Sequence, residues 1–157
     1  MHAAAFAALD MDWTYDLLDI PPTALHAAVD SIRAKDVAGA NVTIPYKQTV
    51  MDQLDTVAAE ALRARAVNTV VNDRGRLGGY NTDIPAIRSA LELVGVEADS
   101  VNAVILGAGG AARAAAVALE GARITFVARR PDHGPQQRDD VLVHGWRVSR
   151  IASSGAL

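Results

Sequence analysis

The first hundred residues alternate between two hydrophobic spacings, one typical of helices and one typical of strands. Residues 2–9 are rich in alanine and predict the end of a helix, whereas residues 13–18 alternate polar and apolar side chains as a strand does. After Pro21, apolar residues recur at helical spacing, and Gly39 lies beyond the end of the helix that they predict. Strands that alternate with helices favour an α/β fold with a largely parallel sheet.

The next part of the chain predicts a strand, a long helix, a hairpin and a second helix. Their positions are 40–44 for the strand, 48–66 for the helix, 67–72 and 78–80 for the hairpin strands, and 82 or 83 to 95 for the second helix. Asp73, Arg74 and Gly75 separate the hairpin strands and are typical turn residues. Gly95 suits the left-handed conformation that often closes a helix.

A second unit begins near residue 100 and has the order strand, turn, helix, strand. Its elements are 103–106, 107–110, 111–119 and 123–128, which together have the length of a βαβ unit. After Pro131 the pattern becomes polar, and 141–148 is the candidate for a third strand. We therefore expect one unit over residues 1–99 and another over 100–157.

Composition and charge narrow the classes of function. Half of the 157 residues are apolar, enough for a packed core, and the absence of cysteine excludes disulfides and thiolate chemistry. A net charge of −3 and few aromatic residues argue against nucleic acid as a partner. The four histidines are scattered, so we expect no metal site. Because no apolar run could span a bilayer and no leader opens the chain, we expect a cytoplasmic protein.

The turn that follows the first strand of the second unit fits the G-x-G-x-x-A pattern of dinucleotide-binding proteins. Gly107 allows the tight turn, Gly109 lets a pyrophosphate approach the backbone, and Ala112 lets the helix pack on the strand. The intervening residues are Ala108, Gly110 and Ala111. The alternative is a purely structural turn, but the strand before it and the helix after it are the context that the motif requires.

Two arginines at the end of the second strand bear on the choice of coenzyme. An NAD site usually has a carboxylate there, which binds the ribose 2′-hydroxyl. Arg129 and Arg130 would instead pair with a 2′-phosphate, so the sequence favours NADP. The structural alternative is two solvated arginines at the end of a strand.

A polar cluster precedes the glycine turn in the sequence. Asn41 and Thr43 share one face of a predicted strand, and Lys47 follows it. Asn68 and the segment 80–83 add amide, hydroxyl and carboxylate groups. These groups suit a polyhydroxylated ligand at the carboxyl edge of a sheet, where open α/β sheets bind their ligands.

Each of these residues also has a structural interpretation. Lys47 could be an ordinary exposed lysine after a turn, and Asp83 could be a helix cap that contributes about 1 kcal/mol. Asn68 could simply satisfy backbone groups at a strand end. Spacing alone favours the structural interpretation of Lys47 and Asp83.

Four motifs, in order, resemble those of the shikimate dehydrogenase family. They are Asn-Val-Thr-Ile-Pro-Tyr-Lys at 41–47, Ala-Val-Asn-Thr at 66–69, Gly-Tyr-Asn-Thr-Asp at 79–83 and Gly-Ala-Gly-Gly-Ala-Ala at 107–112. The resemblance runs over residues 1–130. It implies an α/β substrate-binding domain over 1–99, followed by an incomplete Rossmann-type domain over 100–157. The implied activity is the reversible NADPH-dependent reduction of 3-dehydroshikimate to shikimate.

The resemblance also implies residue roles. Lys47 would be the catalytic lysine and Asp83 its carboxylate partner, while Thr43, Asn68 and Asp83 would bind substrate hydroxyls. This chemistry is reasonable, because hydride addition to a carbonyl leaves an alkoxide that an ammonium group can neutralise and protonate. The implied small-molecule partners are shikimate or 3-dehydroshikimate and NADP. A homodimer is left open, and neither nucleic acid nor a membrane is expected.

In the coenzyme half, the resemblance implies that residues 107–112 hold the pyrophosphate and that Arg129 meets the 2′-phosphate. The family often has Asn-Arg-Thr where this chain has Ala128, Arg129 and Arg130, so one contact is lost and a second arginine is gained.

Several family segments have no counterpart in the chain. They are the first strand with the Ser-x-Ser loop for the substrate carboxylate, and the second half of the coenzyme domain. We therefore expect impaired activity in this chain. Either the natural gene product is longer, or the chain is a nonfunctional remnant. A frameshift or a fragmentary gene would explain the tail after Pro131. The alternatives are a noncatalytic ligand-binding remnant and a quinate/shikimate dehydrogenase using NAD, against which Arg129 and Arg130 argue.

Overall fold

The computed structural model describes residues 2–128 and 141–145. Five helices and seven strands lie within these ranges: α1 His2–Ala8, α2 Leu25–Ser31, β1 Gly39–Asn41, β2 Thr56–Val57, α3 Ala59–Ala64, β3 Thr69–Asp73, β4 Arg76–Tyr80, α4 Asp83–Leu93, β5 Asn102–Leu106, α5 Gly110–Ala118, β6 Arg123–Ala128 and β7 Val141–Gly145. The strands form two sheets, so the α/β class predicted from the sequence is confirmed.

The first sheet is mixed, with the strand order β1-β3-β4-β2. Strand β3 pairs antiparallel with β1 and β4, and only the β2–β4 pair is parallel. The prediction of a largely parallel sheet is therefore wrong for this part of the chain. The predicted hairpin is the reason: Arg74 and Gly75 have positive φ angles of 53° and 89°, which turn the chain directly back on itself.

The second sheet has the order β5-β6-β7, and both of its strand pairs are parallel. Helix α5 connects β5 to β6, which confirms the predicted βαβ unit. The predicted third strand over 141–148 is found as β7 over Val141–Gly145, and residues 146–148 lie outside the described residues. The division into units 1–99 and 100–157 stays a prediction, with its boundary between α4 and β5.

The predicted strand over 13–18 is wrong, because this segment forms no strand. Its alternating side chains instead contact helix α1. The Trp13 ring meets Phe6 edge-on at 5.6 Å, and Tyr15 stacks on His2 with ring centroids 4.2 Å apart. A period of two can therefore arise from an irregular segment that packs on a helix without pairing with another strand.

The continuous helix predicted over 48–66 is also wrong. A 3-10 turn covers Thr49–Gln53, strand β2 follows, and only Ala59–Ala64 is α-helical. The break has a cause in Asp55. Its Oδ2 accepts hydrogen bonds of 2.6 Å from the Leu77 backbone N–H and from Arg33, and its own N–H donates to the Leu77 carbonyl. These long-range contacts draw the segment into the sheet.

Packing between helices places α5 against α3 and α4. One buried cluster joins α3, α4 and α5, and it consists mostly of small side chains: Ala64, Ala66, Ile84, Ala114, Val117 and Ala118. Small residues let helix axes approach closely. As a result, the start of α5 lies beside the loops that carry the predicted polar cluster.

Candidate active site

An ammonium group and a carboxylate meet at the centre of the candidate site. Lys47 lies in the loop after β1, and Asp83 is the first residue of α4. The distance from Lys47 Nζ to Asp83 Oδ2 is 2.8 Å. The side chains are 18% and 31% exposed, so the pair is partly shielded yet open to a ligand. Residues 36 positions apart thus form one hydrogen-bonded ion pair.

Asn68 binds the other oxygen of the same carboxylate. Its Nδ2 donates to Asp83 Oδ1 over 2.8 Å, while its Oδ1 accepts from the Thr82 backbone N–H at 2.9 Å and from the Thr69 hydroxyl at 3.0 Å. Asn68 is only 8% exposed. Because both sides of its amide are bound, the Asn68 side chain has one orientation and holds the Asp83 carboxylate from the side opposite Lys47.

Backbone hydrogen bonds fix the loops that carry these side chains. The Val67 N–H donates to the Lys47 carbonyl at 2.7 Å, the Asn68 N–H to the Tyr80 carbonyl at 3.0 Å, and the Val42 N–H to the Asn68 carbonyl at 2.8 Å. Three separate segments of the chain are therefore joined through their main chains. The geometry of the ion pair does not depend on side-chain contacts alone.

Asn81 is a residue whose role the sequence analysis missed. It is 6% exposed, its Nδ2 donates to the Ala66 carbonyl at 2.9 Å, and its Oδ1 accepts from the Asp83 N–H at 3.0 Å. Asn81 therefore ties the start of α4 to the segment before β3. The signal was its place in the Gly-Tyr-Asn-Thr-Asp motif, two residues before Asp83, where an Asn can form a local turn.

Thr43 occupies a different environment. The predicted strand over 40–44 ends at Asn41, so the face shared by Asn41 and Thr43 does not continue, and Ile44 is 82% exposed. Thr43 is exposed in the loop, and in the described part of the chain its hydroxyl joins none of the hydrogen bonds around Asp83. Asn41 does reach this network, because its Nδ2 donates to Thr69 Oγ1 at 3.4 Å.

The glycine turn has the shape that the dinucleotide pattern predicts. Gly107 has a φ of +116°, which favours glycine, and its N–H donates to the Val127 carbonyl at 2.8 Å. A Cβ added at Gly107 or at Gly109 would have no neighbour within 4 Å, so open space lies over the turn. Ala112 packs with the residues of the second sheet, as the small third position of the motif requires.

Helix α5 begins at Gly110 and points its first N–H groups toward this open space, where a phosphate would be stabilised. Ala108 and Ala111 complete the turn and the first helical residues, and the Ala108 carbonyl accepts a bond of 3.2 Å from Arg113 Nε. Arg129 and Arg130 lie outside the described residues. The residues present therefore fit the pyrophosphate of a dinucleotide.

Two other features concern the described residues only. No group of three or more His, Cys, Asp or Glu side chains is arranged to hold a metal ion. None of the helices is long and apolar enough to cross a membrane.

The fold and the site define an α/β protein in which a lysine–carboxylate pair adjoins a dinucleotide-type glycine turn. The family model described as "Shikimate dehydrogenase substrate binding domain" matches residues 1–70. The shikimate dehydrogenase (NADP(+)) of Symbiobacterium thermophilum is 51% identical over 132 residues, which cover 82% of this chain and 45% of that one. That of Carboxydothermus hydrogenoformans is 42% identical over 157 residues, covering 99% and 56%.

Solved structures of shikimate dehydrogenases are also similar to this chain. Shikimate 5-dehydrogenase from Thermus thermophilus, in complex with NADP(H) and shikimate, superimposes with a TM-score of 0.79 at 34% identity, covering 91% of this chain and 56% of that one. The ligand-free 5-ketofructose reductase of a Gluconobacter species has a TM-score of 0.78 at 33% identity, covering 92% and 56%. The chain belongs to the shikimate dehydrogenase family. It spans about half the length of the curated relatives that it matches.

Proposed function

We propose that this chain provides the substrate-binding part and half of the NADP-binding part of a shikimate dehydrogenase. Residues 1–99 would bind shikimate or 3-dehydroshikimate, and residues 100–157 would bind NADP. The observation that carries the proposal is the 2.8 Å contact between Lys47 Nζ and Asp83 Oδ2, beside the turn where α5 begins. The Thermus relative, whose structure contains both NADP(H) and shikimate, supports this choice of ligands.

The pair has the composition that carbonyl reduction needs. Bound NADPH would supply the hydride, and residues 107–112 would hold its pyrophosphate. The Lys47 ammonium would donate a hydrogen bond to the carbonyl oxygen of the substrate and then a proton as negative charge develops there. Asp83 would orient the ammonium through Oδ2 and accept a bond from a neighbouring substrate hydroxyl. In the reverse direction the same lysine, once neutral, would accept the hydroxyl proton.

Substrate recognition would involve the residues around this pair. Asn68 is bound to Asp83 and nearly buried, so it would act mainly by fixing the carboxylate, and its second amide hydrogen would remain for a substrate hydroxyl. Thr43 is exposed on the loop before Lys47 and would meet a substrate hydroxyl there. Arg129 and Arg130 would pair with the coenzyme 2′-phosphate.

Separate titrations of NADPH and shikimate by calorimetry test the proposal. Lys47→Ala should abolish turnover and weaken shikimate binding while NADPH binding persists. Lys35→Ala is the matched control, because Lys35 is the other lysine of the chain and is exposed. Binding of both ligands without turnover would indicate a noncatalytic module, and binding of neither would contradict the proposal.

Three further titrations identify the substrate and the coenzyme. Quinate tests the quinate/shikimate alternative, and NAD tests the coenzyme choice. The similarity to 5-ketofructose reductase makes 5-ketofructose the second candidate substrate, so it belongs in the same series. Cytoplasmic location and a homodimer stay predictions, which cell fractionation and analytical ultracentrifugation would check.

A further inference from the structure

Gly110 differs from the other two glycines of the coenzyme turn. A Cβ added at Gly107 or Gly109 would meet nothing within 4 Å, whereas one added at Gly110 would lie 3.1 Å from Lys47 Cδ, 3.7 Å from Lys47 Cβ and 3.5 Å from Ala66 Cβ. The G-x-G-x-x-A pattern does not require glycine at this position, which is one of its variable sites. The dinucleotide pattern therefore does not explain this glycine, and Lys47 is the nearest group that a larger residue would meet.

Backbone conformation does not explain the glycine either. Gly110 is the first residue of α5, and its φ lies outside the positive range that favours glycine. Alanine is the better helix former at such a position. Without the contact to Lys47, Gly110→Ala would therefore be neutral or stabilising.

The groups around Gly110 cannot all move away. Ala66 is fully buried, and its carbonyl accepts the hydrogen bond from Asn81. The Lys47 backbone is held by the bond from the Val67 N–H to its carbonyl. The lysine stem is the one flexible neighbour, so a methyl group at position 110 would displace that stem. Its Nζ is 2.8 Å from Asp83, so a stem that shifts by a few tenths of an ångström lengthens this contact.

We infer that Gly110 is a positioning residue for Lys47, through which the coenzyme turn contacts one side of the lysine stem. The inference rests on the proposed function for its catalytic meaning. The contact itself does not, because it concerns only where the lysine side chain lies. The start of α5 would thus fix the proton donor relative to the coenzyme turn.

Lysine labelling tests the inference without any ligand. The sequence has two lysines, and Lys35 is exposed, so the ratio of Lys47 to Lys35 acetylation, read by mass spectrometry, has an internal reference. Gly110→Ala should raise this ratio, by less than the about twofold to fivefold change expected when a partly exposed ion pair is lost outright. Gly109→Ala is the matched control, since its added methyl meets nothing, and it should leave the ratio unchanged. Asp83→Ala is the positive control.

A ratio that rises in Asp83→Ala but not in Gly110→Ala would overturn the inference. If Gly110→Ala folds poorly, its melting temperature tests the inference instead. In the parent chain the substitution should then lower the melting temperature. In a Lys47→Ala background the stem is gone, so adding Gly110→Ala should no longer lower the melting temperature. Equal destabilisation in both backgrounds would also overturn the inference.

NADP and shikimate titrations of the same variants separate this inference from the proposed function. Gly109→Ala should weaken NADP binding at an unchanged labelling ratio, and Gly110→Ala should weaken shikimate binding more than NADP binding. If the labelling result holds but the parent chain binds neither ligand, the positioning role stands and the proposed function fails. If the parent chain binds both ligands but the labelling ratio does not change in Gly110→Ala, the proposed function stands and the positioning role fails.

Discussion

Asn81→Ala is the substitution that tests how the candidate site is held together. The Asn81 side chain is almost fully buried and makes two hydrogen bonds, one to the Ala66 carbonyl and one from the Asp83 N–H. Each such bond contributes about 1 kcal/mol net, and a buried group left without its partner costs about 1–3 kcal/mol. We expect a loss of roughly 2–4 kcal/mol in the free energy of unfolding, measured by urea denaturation.

The functional part of this prediction needs a control of similar cost. Asn72→Ala supplies it, because the Asn72 amide donates to the carbonyls of Ile32, Ala34 and Val37 and lies away from the site. Both variants should lose stability, but only Asn81→Ala should also weaken shikimate binding by the folded protein, through the freed start of α4. An Asn81→Ala protein as stable as the parent, or one whose shikimate affinity falls no more than that of Asn72→Ala, would refute the reasoning.

Three more substitutions give distinct outcomes. Asp83→Asn keeps the shape but removes the charge, so shikimate affinity by calorimetry should fall about tenfold to a hundredfold, as for a lost hydrogen bond to a charged group; an unchanged affinity would contradict the ion-pair role. The Leu77 N–H and then Arg33 hold the pKa of Asp55 below its ordinary value. The Asp55 carboxylate therefore stabilises the fold above the pKa that this carboxyl has in the unfolded chain, and the contribution is lost as the pH falls through its pKa in the folded protein. Asp55→Asn should flatten the acid side of a plot of unfolding free energy, measured with urea, against pH. An equally steep plot would show that Asp55 is not the source of the acid sensitivity. Gly107→Ala forces a side chain to a φ of +116° and should cost about 1–3 kcal/mol in unfolding free energy; no loss would mean that the turn relaxes.

Local sequence signals predicted the elements whose causes are local. The hairpin follows from Arg74 and Gly75, and Gly95 has the left-handed φ of +70° that its place after α4 predicted. Residues 48–66 and 13–18 were predicted wrongly because their conformations depend on distant partners. Asp55 meets Leu77 across 22 residues of sequence, and the Tyr15 hydroxyl donates to Asn41 Oδ1 across 26. No spacing rule contains such a contact.

The candidate site also contains residues that local sequence patterns predict and residues that they do not. The glycine turn follows from its local pattern, and its open space fits a coenzyme. Lys47 and Asp83 could be paired beforehand only through the family resemblance, because their own spacing favoured an exposed lysine and a helix cap. Asp83 does begin α4, but the residue before it, Thr82, makes no side-chain capping bond. The carboxylate is instead committed to Lys47 and Asn68.

The contact between Gly110 and Lys47 could be predicted neither from a local sequence pattern nor from the spacing of the motifs. It exists because α5 packs on α3 and α4 through alanines, and larger side chains there would lift the coenzyme turn away from the lysine. The Arg88 guanidinium on α4 donates to the Val117 carbonyl on α5 at 3.3 Å and holds the same two helices together. Hydride transfer requires the hydride donor and the proton donor to be fixed relative to one substrate. In the proposed enzyme, a helix interface made of small residues would provide that fixed relation, so we expect enlargement of Ala114 on α5 to disturb Lys47 in the loop after β1.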